Sequence, residues 1–457
     1  MALSDFSSLT IEQCQQARMA RDARFDGAFY IAVRSTGIFC RPICPANLPK
    51  EENVEYYNDK AQALQAGYRP CLRCRPDSAP DSWAWKGVET TFSRALRLIE
   101  QGALQNANMA ELAARLGVSD RYVRQLFARY LGMSPKLYAQ YQQLLFAKQL
   151  LHTSTFSVAD IGFACGFNST RRFNDAFQKV MKMTPSRVRH QSKMAQGEQP
   201  KLCLPLKGIL NWRHMLAFYR MRAIDGVERV TETHYQRSLL LHGHEVEFSV
   251  ALCQEKSCLL VEVAVDDLSL LHTVVAGIRR MFDLDADTDV IEAHLSSVAP
   301  GLVRETGIRI PGVWSAWEAG VRAILGQQVS VKAAIGQLNL LVATLAVSAD
   351  KFTFPTPEQV ALADLSFLKM PQSRKETLQR FAAYMMENEH QDPGEWLALK
   401  GIGPWTISYA HLRGLSLPNC FLDKDLVVKK NMTQYPLLTA KSAAPWGSYA
   451  TFHLWNQ

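Results

Sequence analysis

Four cysteines constrain this chain more than any other feature. Cys40 and Cys44 form a C-x3-C pair, and 26 residues further on Cys71 and Cys74 form a C-x2-C pair. Two short-spaced pairs at a distance are what tetrahedral thiolate coordination of zinc requires. The surrounding sequence is basic, with Arg34, Arg41, Arg69, Arg73 and Arg75. Such a site can serve as a staple for the fold, or it can also activate a thiolate.

The 457 residues are too many for one core, so three or four domains are expected. A net charge of +8 is compatible with a polyanionic partner. No apolar run is long enough to span a membrane, and the first residues, MALSDFSSLTIEQC, lack the basic start and apolar core of a signal peptide. Four of the ten cysteines cluster and six are scattered, which is not a disulfide framework. A cytoplasmic protein is expected.

Residues 1–80 read as the first domain. A helix is expected over Ile11–Arg21, then strand and turn over Phe29–Cys40, then a short helix ended by Gly67 that presents the second cysteine pair. Arg75–Ser82 is polar and proline-bearing, a linker. Residues 83–190 carry one pattern twice. Met109–Leu116, the turn at Gly117, and a helix Asp120–Tyr130 capped by Ser119 make the first copy. Val158–Cys165, the Gly166–Phe167 turn, and a helix Thr170–Val180 capped by Asn168 or Ser169 make the second. Each closes with Ser/Thr-Pro, at Pro135 and Pro185. This is the helix-turn-helix arrangement, whose second helix can lie in a major groove. Arg121, Arg124 and Arg129 lie on the exposed face of one second helix, and Arg171, Arg172 and Lys179 on the other.

The pair resembles the AraC-type DNA-binding domain. RSTGIFCRPIC and GYRPCLRC, directly upstream, resemble the N-terminal domain of Ada-type regulators of the alkylation response. The resemblance implies one Zn²⁺ held by Cys40, Cys44, Cys71 and Cys74, with Cys40 also the acceptor of a methyl group from a DNA methylphosphotriester. A zinc-bound thiolate stays deprotonated yet nucleophilic, and the thioether product is a poor leaving group, so transfer is expected to be irreversible. Methylation removes one negative charge from the site, which should raise affinity for DNA. Pro45 and Asn47 stand where family members often carry arginines, so backbone contact is carried over to Thr36 and Arg69. The Pro-Cys-His-Arg core of O6-methylguanine repair does not occur.

Residues 191–203 read as a second linker, and 204–285 as a small α/β subdomain with a helix over Leu268–Phe282. From 286 to 457 the chain reads as helical. There L-x-L-K-G-I-G-P-W (Leu397–Trp405) reads as a helix-hairpin-helix, in which Gly401 and Gly403 permit a turn whose N–H groups can hold a phosphate. Asp425 follows about twenty positions on. The set, with IPGVWSAWEAGVRAILGQQVSVKAA and SYATFHLW, resembles AlkA-type 3-methyladenine DNA glycosylases of the helix-hairpin-helix superfamily. That resemblance implies Asp425 (rather than Asp423) as the catalytic carboxylate, and Phe218, Trp405, Tyr409 and Trp455 as an aromatic base pocket. It also implies DNA contacts at Lys400, Gly401, Gly403 and Gln328, the last where relatives place a leucine wedge. Trp405 occupies the position of the catalytic lysine of lyase-type members, which argues for simple hydrolysis.

The expected architecture is multidomain α+β: a small zinc-binding α/β domain, an all-α double helix-turn-helix domain, then an α/β subdomain plus a helical glycosylase domain. The expected function is methyl transfer to the zinc-bound cysteine with methylation-dependent transcriptional regulation, together with hydrolytic excision of alkylated bases. Expected partners are alkylated and promoter double-stranded DNA and RNA polymerase, with no membrane, no organic cofactor and a monomeric chain. The alternative is a zinc-stabilised transcription factor with a silent or differently specific glycosylase domain.

Overall fold

In the computed structural model, the described residues are 9–22, 25–74, 76, 90–100, 102–104, 108–154, 156–190, 201–255, 257–346, 352–389 and 391–457. They fall into two compact units. One draws on residues 9–207, 257–262 and 267–276, and the other on 208–255, 263–266 and 277–457. The linker expected over Arg75–Ser82 lies outside the described residues apart from Pro76.

The first unit begins with α1 (Ile11–Ala20), where Thr10 and Gln13 cap each other reciprocally. A four-stranded sheet follows in the order β3-β1-β2-β4, from β1 (Tyr30–Val33), β2 (Ile38–Cys40), β3 (Val54–Tyr57) and β4 (Arg69–Pro70). Phe29, Tyr30, Phe39 and Tyr56 bury its core. α2 (Lys60–Gln65), capped by Asp59, returns the chain so that β4 runs parallel to β2. Pro70, with no N–H to give, sits on that edge strand.

The helical part contains α3 (Thr90–Glu100), α4 (Met109–Leu116), α5 (Asp120–Leu131), α6 (Pro135–Thr153), α7 (Val158–Ala164), α8 (Thr170–Met181) and α9 (Pro185–His190). The expected turns are present. Gly117 has φ +67, Ser119 accepts from the Tyr122 N–H, and Ser169 rather than Asn168 caps α8. The two Ser/Thr-Pro dipeptides start the next helices: Ser134 caps α6, a 19-residue helix joining the copies, and Pro185 begins α9.

The expected linker ends sooner than residue 203. Lys201–Pro205 is a strand, β5, paired antiparallel with Cys258–Glu262, and residues 191–200 lie outside the described residues. In the second unit α10 (Trp212–Arg220) precedes an antiparallel meander of β6 (Glu228–Val230), β7 (His234–Leu241) and β8 (His244–Cys253). The chain then passes through β9 (Cys258–Val265) and α11 (Leu271–Met281) to a helical array. Its members are α12 (Thr288–Val298), α13 (Ala316–Gly326), α14 (Val331–Leu345), α15 (Pro357–Leu362), α16 (Gln372–Asn388), α17 (Pro404–Tyr409), α18 (Leu426–Met432), α19 (Ala440–Ala443) and α20 (Gly447–Trp455).

Helix α13 is buried on every side and carries Glu318 and Arg322 into the core. Arg237 bonds Glu228 at 3.1 Å and Glu318 at 2.5 Å, and Arg322 reaches both carboxylates at 2.8 Å. Burial works against the Glu318 carboxylate, but Arg237 and Arg322 outweigh it and hold it down to about 2.

Candidate functional site

The parallel pairing of β2 with β4 makes the cysteine site. Cys40 ends β2, and the Cys71 N–H donates to Phe39 O at 2.9 Å, which brings the second pair beside the first. All four Sγ atoms lie within 4.8 Å of one another. Cys44, Cys71 and Cys74 are buried, and Cys40 is half-buried. Hydrogen bonds with Cys44, Cys71 and Cys74, together with burial, hold the proton on Cys40. A divalent cation reverses that balance, and four close thiols fit the tetrahedral sulfur set of Zn²⁺. The Arg41 N–H lies 3.4 Å from Cys74 Sγ, and its guanidinium pairs with the buried Asp26.

The basic shell is smaller than the sequence suggests. Arg41 is neutralised by Asp26 and Arg34 by Glu55 at 2.8 Å, leaving Arg69 and Arg73 without a carboxylate partner among the described residues; Arg75 lies outside them. Thr36, exposed, and Arg69, half-buried, come together, since the Arg69 N–H donates to Gly37 O at 2.9 Å. Pro45 and Asn47 are exposed, and Arg21 donates to the carbonyl of Ala46 between them at 3.0 Å.

Arg121, Arg124, Arg171 and Arg172 are exposed on the outer faces of α5 and α8. Arg124 differs from the others, since Asp120 one turn earlier takes both its Nε and Nη2, at 2.8 and 3.0 Å.

The second unit holds a cavity of about 1040 Å³ lined by Phe218, Trp405, Tyr409, Trp455, Asp425 and Gln328 among others. The aromatic residues named from sequence thus meet around Asp425. Trp405 and Tyr409, one turn apart on α17, stack at 5.2 Å; Phe218 and Trp455 stack at 6.4 Å with an interplanar angle of 21°. Asp425 is the N-cap of α18. Its Oδ1 accepts from Val427 N at 3.0 Å, Val428 N at 3.2 Å and Trp455 Nε1 at 3.1 Å. That leaves Oδ2 without a protein partner among the described residues. Asp423 is exposed and does not line the cavity.

The hairpin beside it departs from expectation in two ways. Its first arm is a 3-10 turn, Pro393–Ala398, rather than an α-helix. Only one of its glycines is conformationally required. Gly401 has φ +95, and a Cβ there would lie 2.1 Å from Thr377 Oγ1, whereas Gly403 is extended at φ −114 with open space where a Cβ would stand. Lys400 is exposed, and its carbonyl accepts from Arg380 at 2.7 Å. Gln327 ties the α13–α14 loop to Gly401 O and Thr406 Oγ1 at 3.3 Å, which leaves Gln328 exposed at the cavity mouth with φ +57.

The sequence reading missed the arginines. Arg222 and Arg322 line the cavity, and Arg413, in a π-helical turn after α17 (Ala410–Gly414), bonds Tyr409 Oη at 2.9 Å. The only available signal was spacing: Arg222 follows Phe218, and Arg413 follows Tyr409, by four residues.

A four-thiol metal site, paired helix-turn-helix units and an aromatic cavity holding Asp425 beside a helix-hairpin are the parts of a DNA-directed regulator joined to a repair enzyme. Family models match in the same order: the metal-binding domain of Ada over residues 13–77, a helix-turn-helix domain over 112–191 and the AlkA N-terminal domain over 201–315. The probable bifunctional transcriptional activator/DNA repair enzyme AlkA of Mycobacterium tuberculosis is 34% identical, covering 97% of this chain and 96% of its own length. DNA-3-methyladenine glycosylase 2 of Escherichia coli is 33% identical over 54% of this chain and 93% of its own. Among solved structures, a 3-methyladenine DNA glycosylase from Archaeoglobus fulgidus superposes with a TM-score of 0.47 at 18% identity, over 55% of this chain and 96% of that one. The chain belongs to the family of bifunctional transcriptional activator/DNA repair enzymes, and its four cysteines form the zinc site of the Ada type. No helix among the described residues is long and apolar enough to cross a membrane.

Proposed function

We propose that this protein senses alkylated DNA through Cys40, answers by regulating transcription, and excises alkylated bases through Asp425. The observation that carries the excision reading is the cavity itself, with stacked aromatic faces and a carboxylate that three donors orient while one oxygen stays open. A purine alkylated at a ring nitrogen is cationic, so it is attracted to aromatic faces and leaves as a neutral molecule without a general acid. As the C1′–N bond breaks, its electron pair goes to the base. The sugar becomes oxocarbenium-like, and Asp425 stabilises it and guides water to C1′. Gln328 fills the space of the extruded base, and Lys400, Gly401 and Gly403 hold the backbone.

At the other site, Cys40 Sγ attacks the methyl carbon of a methylphosphotriester. The S–C bond forms, the C–O bond breaks, and the phosphate oxygen keeps the electron pair. Bound Zn²⁺ holds the thiolate deprotonated at neutral pH. Cys40 is the least buried of the four, which favours it as nucleophile, with Cys44, Cys71 and Cys74 as ligands only. Thr36 and Arg69 hold the DNA backbone there, and Arg121, Arg124, Arg171 and Arg172 hold promoter DNA. Methylation lowers the negative charge facing the phosphates and strengthens promoter binding. We assign the domains to 1–80, 83–190, 204–285 and 286–457, and place the protein in the cytoplasm as a monomer acting with RNA polymerase.

The test is release of 3-methyladenine from methylated DNA by wild type and Asp425→Asn. Release by wild type and a loss of at least about a hundredfold in the variant is expected. Equal release by both removes Asp425 from the mechanism, and none from wild type leaves the catalytically silent reading.

A further inference from the structure

The second helices of the two helix-turn-helix copies carry different side chains at the same position. Ser119 and Ser169 are the N-caps of α5 and α8, so Asp120 and Thr170 open these helices, and Arg124 and Asn174 stand one turn further on. Val123, Leu126, Phe127 and Tyr130 bury one side of α5, while Arg121, Arg124, Gln125 and Ala128 are exposed. Residues i and i+4 share a helix face. There Asp120 Oδ1 accepts from Arg124 Nε at 2.8 Å, and Oδ2 accepts from Nη2 at 3.0 Å. The first turn of α8 has no acidic residue to do the same. An exposed ion pair of this kind contributes little to stability. What it does is fix where the guanidinium points. Asp120 takes the edge formed by Nε and Nη2, two of the five N–H donors. The outer edge, formed by Nη1 and the second Nη2 hydrogen, makes no hydrogen bond among the described residues. The two side chains are 51% and 41% exposed, so that edge is open to a ligand.

Two parallel donors at the end of a fixed guanidinium suit two neighbouring acceptors. In the major groove guanine presents O6 and N7, both acceptors, whereas adenine sets an N6–H donor beside its N7. We propose that Arg124, held by Asp120, is a specificity-determining residue that reads one guanine of the promoter, with Asp120 as its positioning residue. This rests on the promoter-binding reading above. The first residues of the second helix are the ones that reach base edges, and Asp120 and Arg124 lie in its first two turns. The pair is formed before DNA arrives, so ordering the arginine costs less at the moment of binding. The Asp120 charge also repels phosphates, which makes Arg124 a poorer backbone contact than the unpaired arginines and leaves base reading as its use. Asn174, exposed at the matching position of α8, presents an amide that both donates and accepts, a fit for adenine rather than guanine. The two helices are therefore not interchangeable readers.

The experiment selects sites for the full-length zinc-loaded protein from a random-sequence duplex library, and then measures affinity for the selected consensus and its single-base-pair variants. The protein is used as purified, and again after incubation with DNA treated with a methylating agent and repurification. Changing one G·C pair of the consensus to A·T is expected to weaken wild-type binding at least about tenfold and Arg124→Ala binding by less than about twofold, with the other positions read as before. Those other positions report that each variant is folded. Asp120→Ala is expected to cut the same discrimination to about threefold or less while binding unselected DNA more tightly, because a negative charge facing the phosphates is gone. A uniform loss across all variants in Arg124→Ala overturns the inference and leaves promoter binding standing. So does discrimination lost only at A·T pairs, or discrimination unchanged in Asp120→Ala. No sequence enriched by wild type in either state sinks the promoter-binding reading, and the inference with it.

Discussion

Trp455 Nε1 donates to Asp425 Oδ1 at 3.1 Å, so the last helix of the chain aims the carboxylate that caps α18. The two residues are 30 positions apart, and the same indole stacks with Phe218 across the cavity. Trp455→Phe keeps the ring and removes the donor. The expected result is a fall in single-turnover base release on the order of ten- to a hundredfold, with thermal stability within a few degrees of wild type. Unchanged release would mean that the two backbone donors suffice to orient Asp425.

The hairpin glycines should behave oppositely. Gly401→Ala meets Thr377 Oγ1 and adopts a left-handed backbone, a cost of about 2–4 kcal/mol, which a shift in chemical denaturation midpoint would report. Gly403→Ala faces open space in an ordinary conformation, so stability is retained. If DNA backbone approaches there, the added methyl lowers affinity for undamaged duplex in the glycosylase half without changing the denaturation midpoint. Equal destabilisation by both substitutions contradicts the distinction.

Acid should destabilise the protein through two buried histidines. Burial pushes His272 and His453 down to about 4 from an ordinary value near 6.5, and His453 Nε2 and His272 Nδ1 have no hydrogen-bond partner among the described residues. A folded value below the unfolded one means that the unfolded chain binds protons first as pH falls. The stabilisation is therefore complete above about pH 6.5 and is lost progressively as pH falls toward 4, up to ~3 kcal/mol for each residue. Melting temperature followed from pH 7.5 to 4.5 should drop more steeply in wild type than in His453→Gln or His272→Gln. Parallel curves would remove these residues as the cause.

Much of this was legible because the signals are local. The cysteine spacings, Ser119 and Ser169 as caps, and Gly117 as a turn act within a few residues, and the structure places them as the sequence reads. The aromatic set was legible through its motif. Three features were not, each for a non-local reason. Lys201–Cys203 reads as linker because three residues carry little pattern, and it becomes part of a strand only by pairing with Glu262–Leu260. Gly401 and Gly403 look equivalent in sequence, and only the left-handed backbone at Gly401 and the approach of Thr377 from α16 separate them. Arg222 resembles any solvated cation after a helix until Arg322, Arg413 and Phe218 enclose it. Charge burial depends on what distant segments bring, and periodicity does not record that.

The account rests most heavily on Cys40 as both zinc ligand and methyl acceptor. Its most direct test is the intact mass of the zinc-loaded protein after incubation with DNA treated with a methylating agent, beside Cys40→Ala. One added methyl group in wild type, located to Cys40 by fragmentation and missing in the variant, is the expected result. No mass gain in wild type, or the same gain in Cys40→Ala, would contradict it.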